Sequence, residues 1–179
     1  PPVKTSSHGA DHLASGTKID FSQVYVSDPR DTASILNAKL AAGLNVVLSP
    51  AIYDLDEPLR LNTEGQILLG LGLATLRPTK ANVVVKVGDV AGVRVAGIIV
   101  QAGPLAQNIR SPALIQWGTN GTKFAGSATN PGFLQDIFAR VGGPDGTPTS
   151  VVGVDAMIVV NAGHVIGDNM WLWRADHTV

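Results

Sequence analysis

Gly92-Val-Arg-Val-Ala-Gly-Ile-Ile-Val-Gln-Ala-Gly103 and Gly132-Phe-Leu-Gln-Asp-Ile-Phe-Ala-Arg-Val-Gly-Gly143 are two copies of one pattern, a short apolar strand entered after a glycine. A third copy ends in Trp171-Leu-Trp-Arg-Ala-Asp-His177. Self-similarity at intervals of roughly 20 to 40 residues marks a solenoid, in which each repeat buries its apolar side on the next. The strands are nearly continuous apolar runs, as in Val83-Val84-Val85 and Ile98-Ile99-Val100. Such runs suit parallel strands better than the alternation of half-exposed antiparallel ones. The pairs Asn120-Gly121 and Asp145-Gly146 fall inside longer loops and not between two strands of a hairpin,.

Outward from these copies, the chain reads as one folded unit. Its 179 residues are 45% apolar, enough for a core,. Thirteen basic and fourteen acidic residues leave a net charge of -1, without the basic block that nucleic acid requires,. No apolar run reaches the roughly 18 to 20 residues of a membrane span. Cysteine is absent, which excludes disulfides, thiolate nucleophiles and cysteine-ligated metals together,. That absence leaves the compartment open, with a lean towards a secreted solenoid stabilised by stacking. No P-loop, dinucleotide fingerprint or Gly-x-Ser-x-Gly elbow occurs, so no cofactor is expected.

Residues 1–20 read as a linker or extended arm, and 21–179 as one parallel β-helix domain. It is expected to be incomplete at the C-terminus, where a solenoid needs a cap. A strand is expected at 21–27, and Asp28-Pro29-Arg30-Asp31 offers an N-cap acid and a proline suited to a first helical turn. A helix over about 32–42 follows from Ala33, Leu36 and Leu40, with Gly43 at its left-handed end. Short strands are expected at 45–48, 52–55, 66–69, 74–77, 82–87, 93–95, 98–101, 113–117, 133–141, 157–160 and 169–174. The Gly, Ser, Thr and Asn-rich stretch 119–131 is an insertion that widens one coil, and such insertions collect on the binding face of solenoids.

The run from Asp31 to Tyr53, a helix leading into an apolar strand followed by Pro-x-x-Tyr, resembles the opening of pectate-lyase-like right-handed parallel β-helices, where a short helix caps the first coil. Gln66-Ile-Leu-Leu-Gly-Leu-Gly-Leu-Ala-Thr-Leu76, the segment from Pro131 to Asp145 and the tryptophan-rich segment from Gly163 to His177 are similar to the second β-helix of glycoside hydrolase family 55, two-β-helix β-1,3-glucanases. The resemblance covers about residues 22–179. It implies a β-glucan polysaccharide as partner, a β-helix of the same protein before this piece and further coils after it. It also implies a glutamic acid as general acid of an inverting hydrolysis. Only Glu57 and Glu64 are available, and neither Asp56-Glu57-Pro58 nor Thr63-Glu64-Gly65 suggests an apolar pocket that would raise a carboxyl pKa. The acid is therefore expected beyond Val179, unless this branch has lost or changed the activity.

The terminal motif supplies the main candidates. Strand geometry places Trp171 and Trp173 on one face, with Leu172 and Arg174 on the other. Tryptophan rings stack on pyranose faces, and Arg174, Asp176 and His177 are candidates to hydrogen-bond hydroxyls. The alternative is that both tryptophans fill the coil interior or a seam between two β-helices, with Arg174 and Asp176 as a turn ion pair. Asp176 is also a candidate catalytic carboxylate acting with a group outside this piece. Asp136 and Asp168 are read at equivalent places of successive copies, as an acid pair, a cation site or turn caps. His164 reads as a turn residue, and Asn161 and Asn169 as members of an asparagine ladder. His8 and His12, at i and i+4 without a helix, form no metal site. Asn120-Gly121-Thr122 is a glycosylation sequon if the protein passes through a eukaryotic secretory route. Two functions are consistent with these features: a secreted glycoside hydrolase on β-1,3-glucan, or a non-catalytic polysaccharide-binding or adhesion module. A lyase would need an acidic cluster for calcium, which the sequence does not offer.

Overall fold

The computed structural model describes residues 16–103, 105, 109–142 and 152–174. In chain order the elements are β1 (Val24–Val26), α1 (Ala33–Ala41), β2 (Asn45–Leu48), β3 (Ile52–Leu55), β4 (Leu59–Leu61), β5 (Ile67–Gly70), β6 (Thr75–Pro78), β7 (Val85–Val87), β8 (Arg94–Ala96), β9 (Ile99–Gln101), β10 (Ile115–Trp117), β11 (Gly132–Val141), β12 (Ile158–Val160) and β13 (Val165–Arg174).

Every strand pair is parallel. Sequence neighbours such as β2, β3 and β4 do not pair with one another; each pairs with the strand one turn of chain later. The chain therefore winds as stacked coils with three strand columns. One column runs β1, β2, β5, β8 and the first half of β11; the second runs β3, β6, β9 and the second half of β11; the third runs β4, β7, β10 and β12. β13 adds a last strand along the whole of β11. Early coils advance 22 or 23 residues, from Asn45 to Ile67 and from Asp54 to Arg77. Later ones take 39 and 33, from Gln101 to Arg140 and from Asp136 to Asn169.

Side chains alternate in and out along each strand, and the in-register stacking turns that alternation into columns. Val46, Leu68, Val95 and Leu134 stack inside the first sheet, and Tyr53, Leu76, Val100 and Ala139 inside the second, all buried. Trp117, 1% exposed, fills the interior of the third. Its ring leaves no room for a side chain at Gly132. The core is thus a stack of small layers, each covered by the next coil.

Helix α1 forms largely as its spacing predicts, with Ala33, Leu36 and Leu40 buried and Gly43 in the left-handed region at φ 81°. Its N-cap is Thr32, whose side chain accepts from the Ile35 N–H at 3.4 Å. The Asp28 to Asp31 turn does not supply the cap, because the Asp31 carboxylate is taken by the Tyr25 hydroxyl and the Asp28 N–H. Residues 21–23 are a 3-10 turn, leaving β1 as a strand of three residues. The helix packs on β2 and β4. Asn37 bonds both the Pro58 carbonyl and the Arg60 N–H beside it, and Gln66 Nε2 bonds the Leu40 and Leu44 carbonyls at its far end. No helix among the described residues is long and apolar enough to cross a membrane.

The long strands β11 and β13 each bend at one left-handed residue, Asp136 at φ 52° and Asn169 at φ 49°, where the preceding coil has Gly97 at φ 66°. This register corrects the expected equivalence of Asp136 and Asp168: Asp168 stands opposite Gln135, and the neighbours of Asp136 and Asn169 pair on either side of that corner. Asn161 and Asn169 likewise belong to separate columns. Asn161 donates to the Gly118 carbonyl, and Asn169 to Asp136.

Candidate functional site

The outward side of the second sheet carries the densest chemistry. In register with the inward Ala139 and Val141, Leu172 and Arg174 lie on the interior side of β13. Trp171 and Trp173 therefore stand on the outside, above Phe138 and Arg140. The sequence places both tryptophans on one face, and they are. Trp171 is 61% exposed, so it fills no coil interior among the described residues; Trp173 is half-buried.

Phe138 joins them. Its ring centroid lies 4.9 Å from that of Trp171 with the planes 12° apart, and 6.1 Å from Trp173 at 25°. Trp171 and Trp173 are 5.8 Å apart and tilted by 31°. The 4.9 Å spacing matches the distance between neighbouring strands, so Trp171 lies flat over Phe138 along the stacking direction. One face of Trp171 is occupied by Phe138, and its outer edge is turned away from the sheet.

A polar row runs beside the rings. Asp54, Arg77, Gln101, Arg140 and Trp173 occupy successive strands. Arg77 grips Asp54 through Nε and Nη2 at 2.8 and 2.9 Å. Arg140 Nη2 donates to Gln101 Oε1, and its guanidinium carbon lies 5.9 Å from the Phe138 centroid. Sequence reasoning does not single out Phe138, Gln101 or Arg140. Their alternation with Ala139 and Val100 is the available signal, since it marks them as outward, but only the register brings them to the tryptophans.

The other expected residues are dispersed. Asp168 is exposed on the first sheet, separated from the rings by the Asn169 corner. Arg174 lines a cleft with Arg110, Val141, Val152, Asp155 and Met157, on the opposite side of the strand from the tryptophans. Asp176 and His177 lie outside the described residues, as do His8 and His12. Glu57 borders a cleft between α1 and β4, and Glu64 accepts from Asn130 Nδ2 at 3.2 Å. Glu64 precedes β5, three strand spacings or roughly 14 Å along the axis from β13. An inverting carboxyl pair requires about 6.5 to 9.5 Å. His164 is a turn residue at φ 53°, as expected. The insertion 119–131 folds over the corner between the third and first sheets, not beside the rings. Asp89 accepts from the Thr119 N–H at 2.8 Å, and that bond holds the Asp89 carboxyl below its ordinary pKa. No three metal-ligating side chains converge among the described residues.

The family model of the LAM55 pectate lyase-like domain matches residues 24–179. The chain belongs to this family. Over 182 aligned positions this LAM55 domain is 38% identical to an exo-β-1,3-glucanase of Streptomyces sp. strain SirexAA-E, covering 99% of the chain and 28% of that enzyme. The solved structure of sacteLam55A from Streptomyces sp. SirexAA-E superposes on 94% of the chain and 29% of its own, with 38% identity and a TM-score of 0.80. A variant of sacteLam55A in complex with glucose is similar over 92% of the chain and 28% of its own, at 37% identity and a TM-score of 0.77. The LAM55 chain therefore spans less than a third of the length of these relatives.

Proposed function

We propose that this chain is part of a secreted glycoside hydrolase that cleaves β-1,3-glucan by acid/base chemistry, and that Trp171 and Trp173 line one sugar subsite. The observation that carries the reading is the cluster of three rings on the outside of the second sheet. An exposed tryptophan beside hydrogen-bonding side chains suits a pyranose, whose CH faces are apolar and whose rim is polar. The relatedness to an exo-β-1,3-glucanase supports the choice of glucan.

In this reading the general acid is neither Glu57 nor Glu64, and comes from sequence beyond this chain. Asp176, which lies a few residues past the rings, is the candidate for a second carboxyl, ahead of Asp168 on the neighbouring sheet. His177 and Arg174 are candidates for hydroxyl contacts. The coils are right-handed, α1 closes the first of them, and the described coils belong to one domain completed by other parts of the same protein, while most of the expected arm over 1–20 lies outside the described residues. The competing reading, a non-catalytic polysaccharide-binding module, draws on the half-buried state of Trp173 and the face-to-face seat of Trp171 on Phe138.

Reducing-sugar release from laminarin, with cellulose and polygalacturonate as controls, separates the two in the full-length protein. Release from laminarin alone, lost in a folded Trp173→Ala or Asp176→Ala variant, supports the hydrolase. No release from any of the three favours the binding module.

A further inference from the structure

Arg140 stands in register between Gln101 and Trp173, and its surroundings are not those of a residue kept for folding. Gln101 is a polar side chain only 2% exposed, a burial that is unfavourable unless its amide is bonded,. Its Oε1 takes the Arg140 Nη2 hydrogen. The Arg140 Nε is itself buried and has no acceptor among the described residues, which costs stability. In the adjacent outward column the sheet is served by Thr75 and Ile99, side chains without any such charge to bury. The guanidinium meets the face of Phe138, and Phe138 is the surface on which Trp171 lies.

We infer that Arg140 is a positioning residue for the aromatic group, with Gln101 as its anchor. The planar fork is held at one end by the buried amide and at the other by the Phe138 ring, and this fixes the plane against which both tryptophans rest. A lysine cannot do the same, because a point charge on a flexible stem lacks the fork. The consequence for sugar rests on the subsite reading above; the geometric role does not.

The test uses the full-length protein and its Arg140→Met, Arg140→Lys and Gln101→Leu variants, with three readouts: near-ultraviolet circular dichroism, melting temperature, and affinity for laminaritetraose. Arg140→Met keeps the apolar stem and removes the fork. The expected result is an altered tryptophan signal in all three variants, melting temperatures within a few degrees of the parent, and laminaritetraose affinity weakened about tenfold. An unchanged spectrum in Arg140→Met and Gln101→Leu overturns the positioning role whatever the sugar does. An altered spectrum with parental affinity overturns the claim that the placement serves the ligand. An altered spectrum in a protein that binds no glucan even as the parent supports the positioning role and removes the subsite reading instead.

Discussion

The side-chain amide of Asn169 donates to Asp136 Oδ1 at 2.5 Å across two successive coils, and both residues hold left-handed backbone. Each is the corner at which a strand leaves the first sheet and enters the second. Asn and Asp tolerate that conformation better than other side chains with a Cβ, because their short polar groups bond locally. The corner also sets the phase of the second half of β13, where Trp171 stands two residues after Asn169.

Asn169→Ala is expected to lose both the bond and the tolerance, lowering stability by about 1 to 3 kcal/mol. Asn169→Gly loses the bond but relieves the backbone, and should stay within about 1 kcal/mol of the parent. Urea unfolding of the two variants gives the comparison; equal losses would show that the backbone conformation is not the constraint.

Tyr53 closes the first coil. Its hydroxyl lies 2.6 Å from Ser27 Oγ and donates to the Ser49 carbonyl at 2.9 Å. Tyr53→Phe removes both bonds, leaving Ser27 Oγ only the Ser49 N–H that it accepts at 3.0 Å, and should cost about 1 to 3 kcal/mol at neutral pH. Burial raises the Tyr53 pKa above its ordinary value of 10.0. The folded value exceeds the unfolded one, so this contribution is complete below about pH 10 and is lost as pH rises towards the folded value. Tyr25, raised chiefly by its bond to Asp31, acts in the same direction. Stability measured from pH 8 to 11 should fall less steeply in Tyr53→Phe than in the parent.

Trp171→Ala removes an exposed ring, so its effect on stability should stay under about 1 kcal/mol while glucan affinity falls roughly 3- to 10-fold, the worth of one ring contact. Trp173→Ala, half-buried, should lower both. Titration with laminari-oligosaccharides alongside thermal melts distinguishes the two. A Trp171→Ala protein with parental affinity would remove that ring from the subsite.

Gly126 and Gly163 let the insertion lie against the coil. The Gly163 N–H donates to the Phe124 carbonyl at 2.9 Å, and a Cβ at Gly163 would run into the Ala125 carbonyl oxygen. Because the obstacle is backbone, Gly163→Ala must move one strand of chain, at about 1 to 3 kcal/mol. Limited proteolysis should then cut within 119–131 faster than in the parent, with the remaining coils intact.

Much of the fold is readable in particular residues. Val83 to Val85 and Ile98 to Val100 read as parallel strands because they are continuously apolar, yet Val83, Val84 and Ile98 are buried just before β7 and β9, and within the strands only the inward Val85 and Val100 of these runs are fully covered. Ala33, Leu36, Leu40 and Gly43 announce the helix because their spacing matches one helical face and its end. Leu59-Arg60-Leu61 does not announce itself as a strand: three residues after Glu57-Pro58 carry too short a pattern to read, and their hydrogen bonds come from Val85 to Val87 in the next coil. Asp136 aligns with the wrong partner in sequence because the corner residue is Gly97, then Asp136, then Asn169, with no common side chain to match.

The parallel coil, the residues of helix α1 and the shared face of the two tryptophans are written in the amino-acid order, since each depends on local spacing and on the alternation of neighbours along one strand. That Phe138, Gln101 and Arg140 stand beside those rings is a property of the folded molecule only. Side chains 33 to 39 residues apart meet there through the register of stacked strands, and register is set by corners and coil lengths summed over the whole chain,.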